Sequence, residues 1–298
     1  MDSPHGAAVK AEDFGLEGPR GWAFRGVGID AAPGSLIAVE GPSGSGRTCL
    51  LLALTGRMKP TQGHAEVGGH RLPKRMTAVR RIAALGPVSG VNELDQALTV
   101  AEQLREGALL QRHYGAPVRA MFRPRAERRA AAEARIASAL EAAGLDLAAL
   151  PKGGRTSVRD LERLESVRLS VAIALLGSPG LLALDDLDLK LSDTERAEAW
   201  DLLRSVAARG ITVLAVCSEA PADAVVLRTS PKEPDAADGS GNDTKTDSET
   251  DSETDTATDS ETDSETDSAA DTATDSETDS ENDDTKGADD ALAEAGRA

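Results

Sequence analysis

Hydrophobic residues in the first three quarters of the chain form short runs that alternate with stretches of helical spacing. The runs are SLIAVE at 35–40, RIAAL at 81–85, LLALD at 181–185, ITVLAV at 211–216 and VVLR at 225–228. Runs of this length predict buried strands, and the longer amphipathic stretches between them predict helices. We expect these helices to begin at Thr48, to fill Leu98 to Ala143, and to span Asp193 to Arg209. This order indicates an α/β fold with a sheet rich in parallel strands and flanked by helices.

The helical middle of the chain is rich in Ala, Arg, Glu and Leu and lies between two predicted strands. Pro124 interrupts the helical pattern, since proline breaks a helix interior. We therefore expect a helical subdomain at about 90–165, inserted between strands of the sheet.

The last part of the chain has a different composition. The residues after Thr229 include 24 of the 51 acidic residues and 4 of the 33 basic ones. Their net charge is therefore −20, whereas the whole chain has a net charge of −18. Residues 248–283 form nine tetrads, from SETD to SEND, with no apolar side chain larger than alanine. Such a repeat cannot build a core. We expect a domain at 1–229 and a disordered acidic tail at 230–298, which either solubilises the protein or acts as an interaction or phospho-acceptor segment.

The first 229 residues are nearly neutral, with a net charge of +2. The acidity therefore belongs to the tail, and we expect no nucleic-acid partner. The two cysteines suit a reducing cytosol and indicate no disulfide framework. No run of about 18 apolar residues occurs. If the protein works at a membrane, we expect the spanning part to be another chain.

The segment GPSGSGRT at 41–48 matches the phosphate-loop pattern GxxxxGK[ST], with Arg47 at the lysine position. Glycines let backbone N–H groups converge on a phosphate, and the following helix points its positive end at the same anion. Thr48 would supply a hydroxyl to Mg²⁺. Cys49 either has a lowered thiol pKa at this helix start or is a small core residue. The predicted nucleotide-binding residues are Gly41, Pro42, Ser43, Gly44, Ser45, Gly46, Arg47, Thr48 and Cys49.

A second motif, LLALDD at 181–186, ends in two acids and lies far from the phosphate loop in the sequence. Asp185 is suited to the Mg²⁺ shell, together with Thr48. The next acid, Asp186, would orient the attacking water and is the predicted catalytic residue.

These motifs, with the helix leading into GSPGLLALDD, resemble the nucleotide-binding domain of ATP-binding cassette (ABC) transporters over roughly residues 10–228. The resemblance implies a P-loop NTPase fold, ATP and Mg²⁺ as cofactors, and a dimer of ATP-binding domains. It also implies docking on a separate integral membrane subunit, of Pip/YhgE-like or ABC-2 type, at the cytoplasmic face of the membrane. The preference for Ala, Arg and Gly over Lys is consistent with a high-GC actinobacterial source.

The chain departs from the ABC pattern at several sites. The signature LSGGQ falls on LERLE at 161–165, the catalytic glutamate on Asp186, and the switch histidine on Ser218. The family's glutamine falls near Pro87, with Gln96 as a late substitute, and the D-loop reads LKLS up to Ser192. Two aromatic residues, Phe14 and Trp22, are candidates for adenine stacking or for core packing.

Three functions are consistent with these residues. The first is an ATP-binding transporter subunit that hydrolyses ATP slowly, since the acid, the switch, the signature and the loop cation are all altered. The second is a nucleotide-responsive binding or regulatory module that does not hydrolyse ATP. The third, an unrelated P-loop kinase or GTPase, does not account for the helix that ends in ALLGSP before the two acids. Both a homodimer and a heterodimer are consistent with the sequence.

Overall fold

The computed structural model describes residues 6–115 and 124–229, without the side chains of 111–115. The tail expected at 230–298 lies outside the described residues. In chain order the elements are β1 Val9–Gly18, β2 Gly21–Ala31, β3 Leu36–Glu40, α1 Arg47–Leu54, β4 Gln62–Val67, β5 His70–Leu72, α2 Met76–Ile82, β6 Ala83–Leu85, α3 Val100–Gly115, α4 Arg125–Ala142, α5 Arg163–Leu175, β7 Leu181–Leu184, α6 Asp193–Ala208, β8 Thr212–Cys217 and β9 Val225–Arg228.

The central sheet has five parallel strands in the order β6-β7-β8-β3-β9. Its middle strands are apolar except for Thr212 at the start of β8 and Glu40 at the end of β3, as expected for strands that are covered on both faces. The prediction of a parallel α/β sheet is confirmed. The run at 81–85 contributes less to it than expected, because Arg81 and Ile82 complete α2 and the strand begins at Ala83, opposite Leu181.

Alternate residues of the central strands enter two different cores. Ala38, Leu182 and Ala215 pack with the helices α3 to α6 on one face. Their chain neighbours face the other way, where Val39 and Val216 pack with α1 and the N-terminal strands. This alternation follows from the two-residue period of a strand. The sheet therefore separates the two hydrophobic cores.

A second, antiparallel sheet in the order β2-β1-β4-β5 is absent from the sequence-based prediction. Its strand β1 pairs with β2 through a register with several shifts, so the alternation of buried and exposed residues is broken there. That irregularity hides the strand from a periodicity argument. Inside this sheet the rings of Phe14 and Phe24 lie 5.7 Å apart between centroids.

The helical subdomain follows β6, as the composition predicts. Helix α4 begins at Arg125, immediately after Pro124, and packs with α3 and α5 through buried side chains such as Leu104, Leu140 and Val167. Helix α5 then leads directly into β7 and the acid motif. Within the described residues, no helix is both long and apolar enough to cross a membrane.

Candidate nucleotide site

The phosphate loop, residues 41–48, connects β3 to α1 at the carboxyl edge of the parallel sheet. Asp185 follows β7 and Ser218 follows β8 at the same edge. Ligands of open α/β sheets bind where the carboxyl ends of strands meet. The fold therefore gathers the loop, the acids and the switch position, although the loop precedes the other two by more than a hundred residues in the sequence.

The glycines of the loop adopt backbone angles that other residues avoid. Gly44 and Gly46 have φ of 79° and 81°. Around Gly44 there is open space, whereas a Cβ on Gly46 would overlap the backbone carbonyl oxygen of Ala23 in β2. Gly46 is thus required twice, by its backbone angle and by the close approach of β2.

Ser45 is directed into the protein, away from the loop surface. It is 1% exposed, and its hydroxyl shares a 2.6 Å hydrogen bond with the hydroxyl of Thr229. Its backbone N–H donates to the carbonyl of Pro42 at 3.2 Å. The hydroxyl of Ser45 therefore anchors the loop to the end of β9, whereas Pro42, Ser43 and Gly44 are exposed.

Helix α1 begins at Arg47, so it includes the last two residues of the loop, and its first backbone bond runs from Leu50 N–H to the Gly46 carbonyl. The N–H groups of the first turn have no acceptor within a helix. Together with the positive end of the helix dipole, these groups favour an anion at this position. The predicted phosphate site is consistent with this geometry.

Thr48 and Asp185 meet although 137 positions separate them. The Thr48 hydroxyl donates to Asp185 Oδ2 at 2.7 Å, and the Asp186 N–H donates to Asp185 Oδ1 at 3.1 Å. Asp185 is 4% exposed, and this burial raises the pKa of its carboxyl, despite the opposing bond from Thr48.

The oxygens of Thr48 and Asp185 fit Mg²⁺, which prefers hard oxygen ligands and is usually held by one or two protein groups together with substrate phosphates. Among the described residues, no cluster of three or more His, Cys, Asp or Glu forms a complete metal cage. Thr48 and Asp185 are therefore the residues that could hold Mg²⁺ here.

Asp186, the predicted catalytic residue, has an unusual backbone conformation. Its φ is 44°, in the left-handed region that non-glycine residues rarely adopt, although aspartate tolerates it better than most. Its side chain is 40% exposed, and one carboxylate oxygen lies 4.0 Å from Arg47 Nη2. The predicted catalytic acid therefore faces Arg47, the cationic side chain predicted to bind phosphate.

Arg47 extends across the strand ends. Its Nη1 donates to the carbonyl oxygen of Cys217 at 2.9 Å, at the end of β8, and its side chain is only 15% exposed. The planar guanidinium has several donors at fixed angles, so it can hold a backbone carbonyl and face a carboxylate at once. The structure thus places the positive charge of Arg47 between β8 and Asp186.

Ser218 occupies the place where the resemblance puts a switch histidine. Its backbone N–H donates to Asp188 Oδ2 at 2.7 Å. Sequence reasoning missed Asp188, although the spacing of acids in DDLD at 185–188 is visible in the sequence. An acid two residues beyond Asp186 therefore holds the switch position through a backbone contact.

The edge near Pro87 is built from backbone groups. The Asp185 N–H donates to the Pro87 carbonyl at 2.9 Å. Gln96 is exposed and its amide donates to the nearby Leu94 carbonyl at 3.4 Å. Asn92, which sequence reasoning missed, donates from its amide to the Gly86 carbonyl at 2.7 Å and to the Leu85 carbonyl at 3.1 Å. Asn92 therefore fixes this edge.

The signature segment 161–165 begins α5. Glu162 is the exposed N-cap residue, and its N–H donates to Glu165 Oε2 at 2.9 Å. Arg163 reaches the stretch after the acids, where its Nε donates to the Leu189 carbonyl at 3.1 Å. Ser192, the end of LKLS, caps α6 together with Glu195. The altered signature thus has contacts within its own chain.

The remaining candidates are mostly packing residues. Phe14 is fully buried, so the core role is confirmed for it, while Trp22 is half-buried. Cys49 packs on the core around α1, and burial, aided by the Asp185 carboxylate, raises the pKa of its thiol. A lowered thiol pKa at this helix start is therefore wrong, because burial and the neighbouring Asp185 carboxylate both disfavour the thiolate. Burial also raises the pKa of the Cys217 thiol to about 12.

Two sizeable cavities among the described residues lie elsewhere. One of about 840 Å³ lies between α3 and α4, and one of about 680 Å³ lies near the start of β7. Neither contains a residue of the phosphate loop or the two acids. A phosphate is held by converging backbone N–H groups on an open loop and needs no deep cavity, so the loop geometry identifies the site better than cavity size does.

Comparison with known proteins agrees with this geometry. Residues 24–187 match the sequence model of the family described as ABC transporter. The chain is 35% identical over 193 residues to the daunorubicin resistance ATP-binding protein DrrA3 of Streptomyces coeruleorubidus, covering 64% of this chain and 54% of that protein. It is 32% identical over 192 residues to the Nod factor export ATP-binding protein I of Paraburkholderia xenovorans, covering 63% and 55%. The chain spans about half the length of these curated relatives.

A solved structure shares the fold. The dimeric ATP-binding cassette MJ0796, in a post-hydrolysis state bound to ADP and Pi, superposes with a TM-score of 0.55 at 22% identity. The match covers 71% of this chain and 88% of that one. It shows that residues of this chain adopt the fold of an ATP-binding cassette.

Proposed function

The chain belongs to the ABC transporter family, whose sequence model matches residues 24–187, and on that premise we propose that it is the ATP-binding subunit of an ABC transporter, which binds ATP with Mg²⁺ and hydrolyses it slowly. The observation that carries the proposal is the 2.7 Å bond between Thr48 and Asp185 beside the start of α1. A kinase or GTPase of another P-loop family is set aside because of the family match.

Binding would use groups of the phosphate loop. The loop backbone and the first turn of α1 would hold the phosphates, with the exposed Ser43 and Gly44 nearest to solvent. Thr48 and Asp185 would hold Mg²⁺, which when bound neutralises charge on the phosphate oxygens. Ser45 would stabilise the loop conformation through the hydrogen bond between its hydroxyl and that of Thr229.

Hydrolysis would use Asp186, whose carboxylate would accept a hydrogen bond from the attacking water and orient it. An aspartate is one methylene shorter than a glutamate at this position. In addition, Arg47 faces the same carboxylate at 4.0 Å, so the acid is partly engaged by a cation. Both features lower the efficiency with which Asp186 orients water, which supports slow turnover.

The partners follow from the family and are part of the proposal. We propose a dimer of ATP-binding domains that docks, at the cytoplasmic face, on a separate integral membrane subunit of Pip/YhgE-like or ABC-2 type. Two relatives support a role in transport, since they are named as a resistance ATP-binding protein and an export ATP-binding protein.

Steady-state hydrolysis of ATP by the full chain tests this function. We expect Mg²⁺-dependent turnover that falls roughly 100-fold, or about 2.7 kcal/mol in activation free energy, in the Asp185→Asn variant. The Asp201→Asn variant, at an exposed acid of α6, is the matched control and should retain turnover. Tight binding of a fluorescent ATP analogue without turnover, even with the membrane partner present, would contradict the ATPase and indicate a non-hydrolysing module.

A further inference from the structure

Arg163 is the first residue of α5, and its side chain crosses to the stretch that follows the two acids. Its Nε donates to the Leu189 carbonyl at 3.1 Å, and its Nη2 lies 3.5 Å from the Asp186 carbonyl. Both partners are backbone oxygens three residues apart. One planar guanidinium therefore spans a single turn of the chain.

That turn, residues 186–190, is called the acid turn below. It begins at Asp186 with a φ of 44° and ends at Lys190 with a φ of 62°. The Leu189 N–H donates to the Asp186 carbonyl at 3.1 Å, which closes the turn. A left-handed backbone costs a non-glycine residue of order 1 kcal/mol or more, so the turn persists because its surroundings hold it.

The surroundings hold the acid turn from two further directions. On the sheet side, the Leu187 N–H donates to the Val216 carbonyl at 3.0 Å, and Asp188 accepts from Ser218 N–H. On the loop side, Arg47 faces the Asp186 carboxylate. From the helical subdomain, Arg163 contacts the carbonyl oxygens of Asp186 and Leu189. These are the two residues whose backbone hydrogen bond closes the turn.

We propose that Arg163 is a positioning residue for the proposed ATPase. By holding the carbonyls of Asp186 and Leu189, it fixes the backbone that aims the Asp186 carboxylate, and it links the start of α5 to that acid. The proposal rests on the proposed function and deepens it. Where the resemblance places a signature glycine, this chain carries a side chain that acts on its own acid turn.

Arginine suits this role because of its geometry. The guanidinium has five N–H donors in a rigid plane, so two separate carbonyls can be bound from one side chain. A lysine at the same place has one ammonium head, which can reach one carbonyl. The Arg163→Lys variant should therefore keep part of the effect, and the Arg163→Ala variant should lose it.

Hydrogen exchange measured by mass spectrometry tests the contact without relying on turnover. In the full chain, we expect Arg163→Ala to speed exchange across residues 186–191 by about tenfold, which corresponds to about 1.4 kcal/mol of opening free energy. Arg168→Ala is the matched control. Arg168 lies on the same helix, and its replacement removes a 2.7 Å hydrogen bond to Glu198 on α6. In that variant exchange across the acid turn should stay unchanged.

Steady-state kinetics tests the positioning role. We expect Arg163→Ala to lower kcat by about tenfold while KM and the Kd of a fluorescent ATP analogue stay within about twofold. Arg163→Lys should recover part of kcat, and Arg168→Ala should change neither constant. Thermal melting of all three variants checks that they remain folded.

Two results would overturn the proposal. One is equal exchange of the acid turn in Arg163→Ala and wild type. The other is a large rise in nucleotide Kd with unchanged exchange, which would show that Arg163 contacts nucleotide instead. If the wild-type chain shows no turnover at all, the ATPase itself is contradicted, while the exchange experiment still decides whether Arg163 holds the acid turn.

Discussion

The phosphate loop and the acid turn lie at the same sheet edge but are held in different ways. The loop depends on backbone geometry, with positive φ at Gly44 and Gly46 and no room for a side chain at the latter. The acid turn also has a left-handed residue, Asp186, but long side chains hold it, from Arg47 on one side and Arg163 on the other. In the proposed function, the backbone geometry of the loop serves nucleotide binding, and side chains at the acid turn would govern hydrolysis.

This difference locates where the chain departs from its family. The departures within the loop leave its backbone intact, because Arg47 changes a side chain and none of the glycines. Those beyond it fall on Asp186, on Ser218 and on the start of α5, where we propose that side chains carry the chemistry. We therefore expect variants of the loop to affect binding and variants of the acid turn to affect turnover.

The largest effect should come from Gly46→Ala, which tests the loop side of the comparison. The added methyl would overlap the Ala23 carbonyl, which is a backbone group of β2 and cannot move cheaply. We expect a loss of about 3 kcal/mol in the free energy of unfolding and loss of ATP binding. Chemical denaturation and binding of a fluorescent ATP analogue measure both.

Gly44→Ala is the matched control, since Gly44 shares the positive φ but has open space around it. It should cost about 1 kcal/mol. Equal losses in the two variants would show that backbone angle alone, without the approach of β2, determines the loop.

The next effect should come from Asp186→Asn, which tests the acid turn. Asparagine tolerates a left-handed backbone about as well as aspartate, so the turn should survive. We expect turnover to fall at least tenfold, or about 1.4 kcal/mol, with the Kd for ATP unchanged within about twofold. Initial-rate kinetics and equilibrium binding on the same preparation provide the two values.

A parallel loss of ATP affinity in Asp186→Asn would break the division between a binding loop and a hydrolytic turn. Asp201→Asn, at an exposed acid of α6, serves again as control.

A smaller effect, of opposite sign, should follow from Arg47→Lys. The lysine head cannot hold the Cys217 carbonyl and face Asp186 at once, so the acid becomes freer to orient water. We expect turnover to rise by about threefold, or about 0.6 kcal/mol, with little change in ATP affinity. Lower turnover would show instead that the guanidinium stabilises charge during hydrolysis.

The smallest effect should come from Asp223→Asn, outside both regions. Arg204 donates two hydrogen bonds to the Asp223 carboxylate, at 2.8 and 3.0 Å. This hydrogen bonding lowers the pKa of the Asp223 carboxyl. Because the side chains of Arg204 and Asp223 are 39% and 53% exposed to solvent, we expect a loss below about 1 kcal/mol at neutral pH. ATP binding and turnover should not change.

The pH dependence of that loss has a definite sign. The folded carboxyl of Asp223 titrates below its ordinary pKa of 3.8, so its stabilisation is present above 3.8 and disappears as the pH falls through the lower folded pKa. Wild type and Asp223→Asn should therefore melt at converging temperatures in acid. A gap that persists there would mean that the variant loses packing and not an ion pair.

Much of the fold was accessible from the sequence. Five apolar runs predicted the parallel sheet, and four of them begin within a residue of the observed strands. The fifth, at 81–85, begins two residues early because Arg81 and Ile82 have no strand partner and extend α2. The antiparallel sheet was missed because shifts in register along β1 remove the alternation that marks a strand.

The candidate site was accessible in part. The glycine pattern and the pair of acids identified Thr48 and Asp185, which the structure joins directly. Asn92 and Asp188 were missed, because their roles are bonds to backbone groups of Gly86 and Ser218 that no local pattern records. Such contacts depend on which loops the sheet places side by side.

The sequence by itself predicted the order of strands and helices along the chain and the candidate residues for a phosphate and Mg²⁺, because these depend on spacing and on the lack of side chains at glycine. The family was indicated by the resemblance of its motifs. Only the tertiary structure decided where the long side chains go. Arg47 contacts the end of β8 and faces Asp186, and Arg163 bonds the acid turn. A flexible side chain can reach many partners, and the fold selects among them by placing acceptors within hydrogen-bond distance.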